Sequence, residues 1–156
     1  MAIGCWLFGV GSSAQTWTME AKNDTLSQLV LTTDSTTSRW RLPYEVYRFD
    51  TGDVDGDGST DALVGVVKAT RYYPKGRRLL VFKNYKGHVR PLWMGSKLGG
   101  ELHDFRFIDG RVRCLEASTN GLFAVAEYEW SGFGLSFVKF IVKGIDKDAA
   151  LKIFEK

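Results

Sequence analysis

The sequence predicts an all-β protein, an antiparallel meander of about ten strands followed by a short C-terminal helix. Three observations carry this. Segments that alternate apolar and polar residues, or run β-branched, recur along the chain from residue 16 onward. Short turn signals separate them, notably Lys86-Gly87, Asp109-Gly110, Asn120-Gly121 and Gly132-Phe133-Gly134. Such brief connections join antiparallel neighbours, and Asp-Gly is a strong two-residue hairpin signal. Helical character is confined to Asp146 to Lys156, a short and mostly charged stretch expected to fray.

Taken in order, strands are expected at 16–20, 28–32, 38–42, 46–49, 62–70, 78–83, 88–93, 102–108, 112–117, 123–130 and 135–142. The segment Val46-Tyr47-Arg48-Phe49 alternates, as a half-buried strand does. Ala62-Leu63-Val64-Gly65-Val66-Val67 is apolar at every position and reads as a fully buried strand. Val112-Arg113-Cys114-Leu115-Glu116 alternates again, which directs Cys114 into the core as a small hydrophobe. One sheet is expected around 49–93 and a second over 102–142, with the N-terminal strands completing one of them.

At 156 residues the chain fits one domain and can bury a core without disulfides. Net charge is +3, with Lys and Arg spread along the chain; the densest spot, Arg71 to Arg78, reads as a solvated hairpin tip. Nucleic acid is therefore not an expected partner. No apolar run is long enough to span a membrane. Met1 to Ala14 carries no charge, and its apolar run ends in small residues, as in a secretory signal peptide cut after Ala14. The domain would then be 15–156. A lipoprotein signal ending at Cys5 is the other reading. The expected location is secreted, periplasmic or cell-surface.

The most informative stretch is Asp53-Val54-Asp55-Gly56-Asp57-Gly58-Ser59-Thr60-Asp61. Alternating carboxylates on a glycine-rich loop offer several hard oxygens to one point, which suits Ca²⁺. Asp53, Asp55 and Asp57 are the expected side-chain ligands, Ser59 offers its backbone carbonyl, and Asp61 closes the site. An EF-hand would need Glu at its twelfth position and flanking helices. Val64 stands there, and strands flank the loop.

The stretch from Phe49 to Gly65 resembles the FG-GAP repeat of integrin alpha chains. The resemblance covers about seventeen residues in a single copy, and it places the family's calcium ligands on the same five positions. It implies a calcium loop joining two strands of a propeller blade. The architecture is then either two packed sheets or incomplete propeller-like blades. Phe107-Ile108-Asp109-Gly110 stands where a second, degenerate unit would carry its loop.

No phosphate loop, dinucleotide fingerprint or zinc spacing occurs. His103-Asp104 could orient a base, and Glu101, Glu116, Glu127 and Glu129 could supply a hydrolase pair. The tryptophans are expected in the core, with Trp40 and Trp130 the better surface candidates. The expectation is a secreted calcium-binding module for a glycan or cell-surface protein, with structural calcium. The alternative is a small glycan-acting hydrolase on the same calcium scaffold.

Overall fold

The computed structural model describes residues 14–95 and 98–156, and within them the chain forms eleven strands and one helix. The signal-peptide expectation over residues 1–14 falls, apart from Ala14, outside the described residues, as does the alternative at Cys5. β1 (Gln15–Asn23), β2 (Leu26–Thr33) and β3 (Thr37–Leu42) form a first sheet. β4 (Glu45–Gly52), β5 (Asp61–Lys68), β6 (Gly76–Tyr85) and β7 (His88–Trp93) form a second. β8 (Glu101–Ile108), β9 (Arg111–Ala117), β10 (Phe123–Trp130) and β11 (Leu135–Ile145) form a third, and α1 (Lys147–Phe154) follows. Within each sheet, strands consecutive in sequence pair antiparallel, and the chain passes from one sheet to the next only between β3 and β4 and between β7 and β8.

The antiparallel meander and the terminal helix are as the sequence predicts. The number of sheets is three, because the first three strands form their own sheet instead of completing another. The central strands of the second sheet explain this. Ala62, Val64, Val66, Leu80 and Phe82 face one way and pack with Trp17, Leu29 and Leu31 of the first sheet. Leu63, Leu79 and Val81 face the other way and pack with Phe105, Val112, Cys114 and Tyr128 of the third. A strand apolar on both faces needs two covers, and each such side chain contributes about 1.5–3 kcal/mol when buried. The second sheet is therefore the middle layer.

The third sheet's outer face is covered by the helix. Ala150 and Phe154 are buried against Leu115 and Val125. The Asp146 side chain caps the helix by accepting from the Ala149 N–H at 3.0 Å, and Arg106 donates to the Phe154 carbonyl at 2.8 Å. The segment expected to fray is thus docked, because its apolar residues return to one face at helical spacing. Trp17 and Trp93 are buried, while Trp40 and Trp130, the better surface candidates, are half-buried. Trp40 sits 5.6 Å from the Phe82 ring, and Trp130 packs half-buried between the second and third sheets. Cys114 is buried and free, and burial pushes its thiol well above the usual range.

Candidate metal centre

β4 and β5 make the first hairpin of the second sheet. Gly52 pairs with Asp61, so residues 53–60 form the loop. Gly56 and Gly58 have φ of +74° and +87°, the left-handed region that favours glycine. Val54 is buried in the core between the second and third sheets and pins the loop from beneath. The first sheet pins it from the side. Trp17 Nε1 and Gln15 Nε2 each donate to the Thr60 carbonyl at 2.8 Å.

The loop wraps its carboxylates in its own backbone N–H groups. Asp57 N and Gly58 N donate to Asp53 at 3.1 and 2.8 Å. Ser59 N donates to Asp57 Oδ1 at 2.9 Å, and Val54 N to Asp61 Oδ2 at 2.9 Å. One carboxylate oxygen from each of Asp53, Asp55 and Asp61 lies within 4.8 Å of the others. Oxygens bound at 2.3–2.6 Å to one Ca²⁺ are at most about 5 Å apart, so this spacing suits a single hard cation.

Asp61 is the unusual member. It is completely buried, and its Oδ1 has no hydrogen-bond partner among the described residues. Burial pushes its carboxyl up to about 7, and the nearby Asp55 and Asp57 charges add to the effect against the Val54 N–H. A buried carboxylate with an unmet oxygen is costly unless a proton or a cation meets it.

Asp57 and Ser59 are placed differently. Asp57 accepts from Ser59 N with one oxygen and from Lys83 Nζ with the other, at 3.0 Å. Lys83 also bonds Asp55 Oδ2 at 2.7 Å. Burial pushes Asp57 up, but the Ser59 N–H and Lys83 outweigh it and hold the carboxyl below its usual range. The Asp55 bond, then the Asp57 bond, raises the Lys83 ammonium in turn. The Ser59 hydroxyl contacts Gln15 Oε1 at 3.4 Å. One ammonium facing four carboxylates leaves the loop short of positive charge.

Lys83, Gln15 and Trp17 were not legible as site residues. Lys83 follows the buried run Leu79–Phe82 of β6, one position beyond the Ala62–Phe82 pair and so at the loop end of the strand. Only the register discloses that. The other chemical candidates are engaged elsewhere. Asp104 is held by Arg48 through both oxygens, at 2.5 and 2.7 Å, while His103 packs edge-on to Phe123. Glu116 accepts from the Tyr128 hydroxyl at 2.5 Å, and Glu127 is surrounded by Arg111, Arg113 and Lys139.

No family model matches the chain, and no curated protein is similar to it in sequence. The FG-GAP resemblance therefore rests on its own short stretch. Among the described residues, no helix is long and apolar enough to cross a membrane.

Proposed function

We propose that this chain is a secreted, FG-GAP-like calcium-binding β-domain in which the ion is structural. The domain would act as a binding or adhesion module for a glycan or a cell-surface protein. The observation that carries the reading is the buried, unpartnered Asp61 Oδ1 grouped with Asp53 and Asp55 oxygens. Asp53, Asp55 and Asp61 would hold the ion, with Asp57 and the Ser59 carbonyl as further ligands. The ion would offset the loop's negative charge and fix the β4–β5 hairpin against the first sheet.

Thermal unfolding of the full chain with calcium, magnesium and chelator tests this. Linkage gives about 2.7 kcal/mol of stabilisation at a hundredfold excess over the dissociation constant, a rise of a few degrees. The rise is expected with calcium, not magnesium, and is lost in Asp55→Ala. An Asp55→Ala variant that keeps the full shift would remove the ligand assignment.

A second reading is favoured by Lys83, which bonds two of the loop carboxylates. In this reading the ammonium is an internal counter-ion that stands in for a metal. Lys83→Gln separates the two. If calcium binds, the variant binds it more tightly, because a competing cation is gone. If Lys83 stands in for the metal, the variant loses stability and wild type shows no calcium shift.

A further inference from the structure

We propose that the cleft between the second and third sheets, at the end away from the acidic loop, binds an anionic oligosaccharide bearing carboxylate or sulfate groups. This rests on the binding-module reading and gives it a surface. β5 runs from Asp61 at the loop to Lys68 at the β5–β6 connection, a span of about 23 Å at strand rise. The cleft lies at that far end and measures about 550 Å³. This is the size of a small-ligand site, not of a protein-docking face.

Its walls carry Lys75, Arg77 and Arg78 from the β5–β6 hairpin, beside the aromatic rings of Tyr73 and Trp93. Glu101 is the one acidic side chain among the described lining residues. The two arginines are positioned without being neutralised. Arg78 donates to the Pro74 carbonyl at 3.0 Å and the Arg77 carbonyl at 3.2 Å. Arg77 donates to the His103 carbonyl and lies over the Tyr47 ring. Arginines elsewhere in the molecule, such as Arg48 and Arg111, face carboxylates instead. Among the described residues, no carboxylate forms an ion pair with Lys75, Arg77 or Arg78.

Held guanidinium groups with uncompensated charge are suited to carboxylate and sulfate oxygens, because little ordering remains to be done on binding. Tyr73 lies exposed at the rim with the Arg78 guanidinium over its ring, giving a sugar an apolar surface beside the charge, while the buried Trp93 forms part of the floor. Nucleic acid fits less well. Among the described lining residues the cations sit on one hairpin, net charge is only +3, and nucleic-acid binders commonly make about 6–10 phosphate contacts.

The test is calorimetric titration of the full chain at low salt. The probes are a uronate hexasaccharide, a sulfated hexasaccharide, a neutral hexasaccharide, and single-stranded DNA of matching charge. Binding of at least one acidic sugar but not the neutral one is expected. Arg77→Gln with Arg78→Gln lowers that affinity about tenfold or more, and Lys75→Gln about threefold. Glu101→Gln tightens it about threefold by removing the opposing charge. The two single changes lie at exposed positions and carry the test if the double variant does not fold. Absence of binding to both acidic sugars, equal binding of the neutral sugar, tighter binding of DNA, or unchanged affinity in Lys75→Gln and Glu101→Gln overturns the proposal. Each titration is run with calcium and with chelator. Sugar binding without a calcium melting shift would retain this cleft and reject the metal reading, and the converse result would do the opposite.

Discussion

The second and third sheets share one connectivity and differ in how they open. The second begins with a hairpin whose loop spans residues 53–60, and the third with a turn of only Asp109-Gly110 between Ile108 and Arg111. Asp109 and Gly110 have φ of +53° and +77°, so this turn is complete in its own backbone. The long loop must instead manage four carboxylates. The charges beside the two hairpins are also reversed. One position beyond the Ala62–Phe82 pair stand Asp61 and Lys83, and one beyond Val112–Tyr128 stand Arg111 and Glu129. In the third sheet Arg111 lies near both Glu127 and Glu129. In the second, Lys83 reaches Asp55 and Asp57, and Asp61 keeps an unmet oxygen. The lesson is that a short turn can close a hairpin by backbone geometry alone, whereas the long acidic loop leaves one buried carboxylate oxygen, Asp61 Oδ1, without a partner among the described residues.

The largest expected effect breaks the packing common to both sheets. Phe105 is fully buried between them, and Phe105→Ala should lower unfolding free energy by about 3–5 kcal/mol in denaturant titration. The loss should be nearly the same with calcium or chelator, since Phe105 meets the loop only through the core that it shares with Val54. A calcium-dependent loss would mean that the loop and the core are coupled.

Asp61→Asn sharpens the contrast at the loop. The amide keeps an acceptor for the Val54 N–H and directs donors at the neighbouring carboxylates. In chelator the variant should gain about 1 kcal/mol, because a buried unmet charge is removed. In calcium it should lose the melting shift. A variant that is destabilised in chelator would show that Asp61 is satisfied without an ion.

The smallest effect compares the glycines. A Cβ on Gly58 or Gly110 meets nothing within 4 Å, so each substitution reads out backbone conformation alone. Gly110→Ala should cost about 1 kcal/mol whatever the calcium level. Gly58→Ala should cost a similar amount in chelator and more in calcium, where the ion would hold the loop in one conformation. Equal costs for Gly58→Ala in both buffers would count against an ion-ordered loop.

Much of this was legible beforehand. Local patterns fixed the strands, because alternation along a strand reports one buried face and the Asp109-Gly110 turn needs no tertiary help. The acidic loop was visible for the same reason: its carboxylates are contiguous in sequence. The docking of α1 was not legible, since Ala150 and Phe154 gain their meaning only against Leu115 and Val125. Nor was the partner of Trp40, whose half-buried ring packs against Phe82.

The sequence by itself determined an antiparallel all-β chain, its turns and one acid-rich loop, because each depends on residues near one another in the chain. Only the tertiary structure decided the stacking of three sheets, the approach of Lys83, Gln15 and Trp17 to the loop, and the cleft edged by Arg77 and Arg78. Those contacts join residues far apart in sequence, and their geometry follows from strand register and from which faces must be buried.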